Sequence, residues 1–195
     1  MADVPVVTVS TSILTYGALP VPYAAAWSAE SRTFIASCPW ARCAAICQEE
    51  ARGQGKPMFG TPHFGRQREV IVRGLCDLCA RPLRNTTKVS LSHARARMNG
   101  AKALDVLQVE PLLHRDCAAE SVRHCPSLKR DIAHGTLEVR RVTRHAFQLA
   151  LSNPKFIAKY VPGYVENPND RIVAHAKVQL LAWQAMRPEW IGVDQ

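Results

Sequence analysis

The chain has no apolar run long enough to cross a bilayer as a helix, which takes about 20 residues. Its longest, near Ala18 to Trp27, is interrupted by Pro20 and Pro22. The first residues lack the basic segment and unbroken apolar core of a secretion signal, so export is not expected. Neither a repeat nor a low-complexity tract is present, which argues against solenoids and biased tails. An even cysteine count is missing too. Of seven cysteines in 195 residues, at least three stand at metal-type spacings, so a disulfide framework is excluded and a reducing, cytoplasmic setting is expected. Between residues 66 and 102 there is no Phe, Tyr or Trp, and the only acids are Glu69 and Asp77. Without aromatics that segment offers no base-stacking platform for single strands.

What the same segment does have is positive charge. Nine Lys or Arg residues stand against the two acids, a balance of +7 within a formal net charge of +9. A local basic field attracts polyanions, and nucleic acid or an acidic protein is the expected partner. Arg81, Arg84, Lys88, Arg95, Arg97 and Lys102 are the expected phosphate contacts, giving affinity and salt dependence but no base specificity. The plainer reading of such a run is a solvated face that keeps the chain soluble.

Inside the basic segment lies a metal-type motif. Cys76 and Cys79 are separated by two residues, and His114 and Cys117 repeat that spacing 35 residues or more downstream. Two such pairs can converge on one ion, and three thiolates with one imidazole suit tetrahedral zinc in a structural role, with no position left open for water or substrate. The second pair opens an expected helix over 116–124 that stops before Pro126. A knuckle, a hairpin and a helix whose first turn supplies ligands make a treble clef. His124 and Cys125, seven and eight residues beyond Cys117, are alternative ligands should His114 not reach. Ala80 occupies the place after the second cysteine where glycine often permits a left-handed turn, so the turn is expected to be tighter or of another type.

Around this motif the chain reads as an α+β protein in three zones without clear linkers: a strand-rich N-terminal part over 1–65, a zinc-binding core over 66–145 and a helical part over 146–195. Residues 6–10 and 13–16 read as strands, and 37–52 as a helix through Cys43 and Cys47 with Pro39 near its first turn. The type of 64–73 is undecided. Strands are expected at 86–91, at 106–109 as its return partner, and at 136–142. The clearest C-terminal helix is expected over 172–183, capped by Asn169 or Asp170. Cys38, Cys43 and Cys47 tempt toward a second metal site, but no fourth ligand is near in sequence and they read as buried core.

An enzymatic reading exists. Some His-metal finger endonucleases carry a catalytic histidine on the hairpin of a treble clef, and His93, fourteen residues after Cys79, would be that base. Ser92, however, stands where an acidic or histidine metal ligand usually precedes it.

Residues 21–28, Gly55 to Gly60, Arg66 to Arg68, Leu75 to Leu83 and Cys117 to Pro126 together resemble small uncharacterised proteins of actinobacteria and their phages, over residues 21–142. The resemblance implies two Cys-x-x-Cys pairs, with His114 replacing a cysteine, and a phage or mobile-element origin; it carries no function. The expected function is a structural-zinc module that presents a basic hairpin, residues 81–102, to nucleic acid or to a nucleic-acid-handling complex. The alternative is a phage-encoded inhibitor or accessory factor that meets an acidic protein.

Overall fold

The computed structural model describes residues 13–41 and 43–192, a mixed α+β chain. Strands β1 (Thr15–Tyr16), β2 (Leu19–Pro20) and β3 (Ala25–Trp27) are short, β4 (Thr33–Cys38) and β5 (Cys43–Gln48) form a hairpin, and β6 (Pro57–Pro62) returns to β3. Helix α1 (Phe64–Arg73) leads into the cysteine knuckle, followed by β7 (Lys88–Ser92), β8 (Ala96–Asn99), β9 (Lys102–Gln108) and β10 (Leu113–His114). Helices α2 (Arg115–His124) and α3 (Pro126–Ala133), strand β11 (Glu138–Leu151), helix α4 (Pro154–Tyr160) and strand β12 (Val173–Met186) complete the chain, with a 3-10 turn at Pro188–Ile191. The strand expected at 6–10 lies outside the described residues.

Eight strands make one sheet in the order β10-β7-β11-β12-β5-β4, and the β8–β9 hairpin joins it through β9 against β12. One edge of β12 is held by β11; the other is shared, parallel to β5 at Val173 and antiparallel to β9 from Val178 to Leu180. In a flat sheet β7 and β9 would stand three strand spacings apart, about 14 Å. Instead the Ser90 hydroxyl donates to Gln108 Oε1 at 2.6 Å and the Ser92 hydroxyl to Glu110 at 3.0 Å. The sheet therefore curls strongly, helped by register breaks in β11 near Arg144 and between Leu149 and Leu151. Its concave side holds the main core, where Val89, Val106, Val142 and Leu180 pack beside Cys76, Cys79 and Cys117.

Three expectations fail here. Residues 37–52 are not a helix: Pro39 sits in the turn between Cys38 and Cys43, which face each other across the β4–β5 hairpin. The hairpin is held from outside, because Arg68 of α1 donates to the Ile46 carbonyl at 2.7 Å, so tertiary contact overrides local propensity. Residues 172–183 are likewise strand β12. Ala174, Ala176, Val178 and Leu180 are buried while His175, Lys177 and Gln179 are only half-buried, a period of two. The helix-favouring Ala, Leu, Gln and Lys obscured that alternation. Finally, β9 does not return against β7 but pairs with β8 and β12; the partners of β7 are β10 and β11.

Helix α1 is the undecided segment, and it is buried through its polar side chains. His63 caps its first turn, accepting from the Arg66 N–H at 3.2 Å, and Gly74, left-handed at φ 62°, ends it. Arg66 grips the fully buried Glu30 with two bonds of 2.6 and 2.7 Å and adds the carbonyls of Tyr23 and Ala25. Gln67 acts as a substitute strand residue: it donates to the carbonyls of Val109 and Ala176 and accepts from the Ala176 N–H. Arg68 is wholly buried, bonded to the carbonyls of Ile46 and Ala174 and to the Cys38 sulfur at 3.3 Å. Arg66 and Arg68, counted in the sequence as part of a basic surface, are interior ties between the N-terminal loops and β12.

Candidate metal centre

The knuckle is built by a short run of backbone bonds directly after α1. Gly74 turns the chain, Leu75 bridges to Pro82, Cys76 N–H donates to the Arg81 carbonyl at 2.9 Å and Leu83 N–H to the Gly74 carbonyl at 2.9 Å. The Ala80 N–H closes the turn on the Cys76 carbonyl at 2.8 Å, with Ala80 itself left-handed at φ 54°. Alanine thus takes the left-handed conformation usually given to glycine, at a cost of about 1–2 kcal/mol, where a tighter turn or one of another type was expected.

The other two donors arrive on β10 and α2. Strand β10 pairs antiparallel with β7, setting His114 opposite Lys88. One step later α2 begins, and its first turn carries Cys117. The helix runs to His124 as the sequence reading expected, but Pro126 starts α3 instead of ending the helical stretch.

The donor atoms of Cys76, Cys79, His114 and Cys117 all lie within 4.8 Å of one another. The His114 Nδ1 is 3.4 Å from the Cys79 sulfur and 3.9 Å from that of Cys117, while Nε2 faces the Pro82 carbonyl at 3.1 Å. Donation of Nε2–H to that carbonyl leaves the Nδ1 lone pair aimed at the sulfurs, the tautomer a metal needs. The three cysteines are buried.

Two further donors point at sulfur. The His114 N–H reaches Cys76 at 3.4 Å, and Arg81 Nε reaches Cys79 at 3.4 Å. The Cys76 thiol is pulled down to about 5, first by the Cys117 thiol donating to it and then, against burial, by the N–H groups of Cys79, His114 and Leu78. Cys117 is pushed up by the same contact, by burial and by the negative sulfurs beside it. Between these two sulfurs ionisation is therefore favoured at Cys76, and a bound cation would favour it at Cys117 as well.

No family model matches this chain, nor does any curated protein or solved structure. The centre is therefore read from its own atoms: four converging donors, three of them sulfur, in a set able to hold a metal ion.

The alternative ligands stay outside it. His124 Nε2 pairs with Glu120 at 2.9 Å, and Cys125 lines an apolar cleft with Leu19, Pro20 and Phe59. Cys38, Cys43 and Cys47 form no metal-type group among the described residues. Cys38 is instead lowered to about 5, first by contact with the Cys47 thiol and then by Arg68, and Cys47 is raised.

A second group, Glu30, Glu50 and His63, has its donors equally close, but Arg66 already occupies it, bonded to both carboxylates. His63 uses both ring nitrogens, on the Arg66 N–H and the Glu49 carbonyl. The sequence reading passed over His63; its place just before a buried helix was the available signal.

Among the six expected phosphate contacts, Arg95 is paired with Glu138 and Arg97 with Asp105, the latter pulling Asp105 down to about 2 together with Gln179. Arg81, Arg84, Lys88 and Lys102 have no carboxylate within ion-pair distance among the described residues. Gly100 and Ala101 form the tip of the β8–β9 hairpin, which carries Arg97 and Lys102. His93 sits on the loop after β7, one ring nitrogen 3.1 Å from the Thr136 carbonyl and the other 3.4 Å from Asp131. No metal-type group among the described residues includes it.

Proposed function

We propose that the chain is a structural-zinc module of treble-clef type that contacts nucleic acid, or a complex handling it, through the basic surface beside the metal. The treble-clef reading is supported by the order of parts: a cysteine knuckle, the β7–β10 pair interrupted by the β8–β9 hairpin, and a helix whose first turn brings Cys117. Zinc fits three thiolates and one imidazole in a closed set. The observation that carries the contact surface is the distribution of cations without carboxylate partners. Arg81, Arg84 and Lys88 surround the knuckle, whereas the charges of Arg95 and Arg97 are already spent on Glu138 and Asp105. The basic segment therefore acts from its metal-proximal end more than from its hairpin tip.

Gel retardation of labelled duplex DNA and RNA by the metal-loaded protein tests this. Retention at low salt that weakens steeply as salt is raised is the expected result; free probe at the lowest salt overturns it. A second reading, a protein-binding inhibitor or accessory factor of phage or mobile-element origin, draws on a largely apolar cleft of about 280 Å³ lined by Leu19, Pro20, Pro22, Phe59 and Pro126. A nuclease role for His93 would need a second metal group where its ring nitrogens instead meet Thr136 and Asp131.

A further inference from the structure

We infer that the cleft on the outer side of the metal centre is a phosphate site, formed by Arg81, Thr87, Arg115 and the first turn of α2. The cleft measures about 490 Å³ and is lined by Arg81, Pro82, Thr86, Thr87, His114, Arg115, Asp116 and Cys117. Its two guanidinium groups are each fixed by a single Nε bond. Arg81 Nε donates to the Cys79 sulfur, and Arg115 Nε donates to the Trp190 carbonyl at 2.8 Å with its guanidinium 5.2 Å from the Trp190 ring centre. Neither has a carboxylate within ion-pair distance among the described residues. The terminal Nη groups of both are thus left to a ligand, on side chains already held in place, which reduces the entropy cost of binding.

The remaining wall suits the same chemistry. Thr86 donates its hydroxyl to the Leu83 carbonyl at 2.9 Å and so shapes the loop, while the neighbouring Thr87 is exposed in the cleft wall. Helix α2 is ten residues long, and no side chain caps its first turn. Its N–H groups add partial positive charge to that of the two arginines. Asp116 is the one acid in the wall, against the two guanidinium groups of Arg81 and Arg115. Planar guanidinium forks, a hydroxyl and backbone N–H groups are the donor set that phosphate oxygens accept. Arg115 and Thr87 were not among the contacts expected from the sequence, because 28 residues separate them and only the β7–β10 pairing brings them together.

The source of the phosphate, a nucleic-acid strand, rests on the proposed function; the cleft itself does not. Two measurements on the full metal-loaded chain separate them. Fluorescence anisotropy of a labelled duplex is expected to show about tenfold weaker binding for Arg115→Gln, with the salt slope reduced by about one. The double variant Arg95→Gln/Arg97→Gln should stay within about twofold of wild type. Arg115→Lys, which keeps charge but loses the fork, should fall between, and Thr87→Val gives a second probe that does not touch the Trp190 contact.

Amide spectra titrated with inorganic phosphate are expected to shift at Thr87, Arg115, Asp116 and Cys117. Phosphate-induced shifts there without any DNA binding would overturn the nucleic-acid reading and keep the cleft as a site for small phosphates. DNA binding unaffected by both Arg115→Gln and Thr87→Val, with no phosphate shifts, would overturn the cleft.

Discussion

Replacing Cys76 by alanine isolates what the metal centre contributes to folding. The sulfur is fully buried and accepts from the His114 N–H at 3.4 Å. Alanine leaves that backbone donor without its partner in the interior, at about 1–3 kcal/mol before any metal is considered. Loss of one ligand from a closed four-donor set removes most of the metal affinity as well, and structural zinc contributes about 10–16 kcal/mol in small zinc-dependent folds. Against a typical total stability of about 5–15 kcal/mol, the variant should be unfolded or nearly so. With a urea dependence of about 2 kcal/mol per molar, the lost hydrogen bond alone moves the midpoint by about 0.5–1.5 M. Metal content per chain and urea midpoints, measured on wild type, Cys76→Ala and Cys76→Ser, read both terms. Serine keeps a hydroxyl that can accept an N–H but is a poor zinc ligand, so it should lose the metal and retain part of the hydrogen bonding. The reasoning is refuted if Cys76→Ala keeps one metal ion per chain, or if chelator-stripped wild type unfolds at the same midpoint as the metal-loaded protein.

Other outcomes follow from individual contacts. His124→Ala and Cys125→Ser should leave metal content unchanged, since neither side chain enters the donor cluster; a loss of metal in either would reassign the ligand set. Ala80→Gly should raise stability by about 0.5–1 kcal/mol in urea titration by relieving the left-handed strain at φ 54°, less the packing lost with the methyl. Glu30→Gln should cost about 3–5 kcal/mol, because it leaves the Arg66 guanidinium buried with its main counter-charge removed; a neutral effect would show that Glu50 and the carbonyls suffice. His175 is lowered to about 4 by burial and then by Arg68, its ring stacked 4.6 Å from Phe64. Between about pH 6.5 and 4 the unfolded chain binds a proton there that the native chain does not, so stability should drop as the pH is lowered through that window, by about 3 kcal/mol in all. His175→Phe should flatten that part of the pH profile, and an unchanged profile would place the acid sensitivity elsewhere.

The convergence of Cys76, Cys79, His114 and Cys117 was legible in the sequence because its chemistry is local. Cysteine pairs at a two-residue spacing and a following helix start are short-range signals, and α2 lies where its start and its proline stop indicated. Strand β7 and the first part of β11 were legible for a similar reason, as polar and apolar residues alternate there and one face meets the core. The hairpin at Cys38 and Cys43 and the long strand β12 were not. They become strands through distant partners, β11 along β12 and β4 against β5, with Arg68 and Gln67 of α1 adding bonds to Ile46 and Ala176 from as many as 109 residues away.

The same distinction governs the charge. Composition determined that residues 66–102 are basic, but only the fold decided which cations stay available. Burial forces Arg66 and Arg68 into interior bonds, strand register presents Arg95 and Arg97 to acids on neighbouring strands, and the β7–β10 pairing brings Arg115 to the cleft beside the metal. A charge count sums over sequence, whereas the field at a surface depends on where each charge ends up and on what already neutralises it.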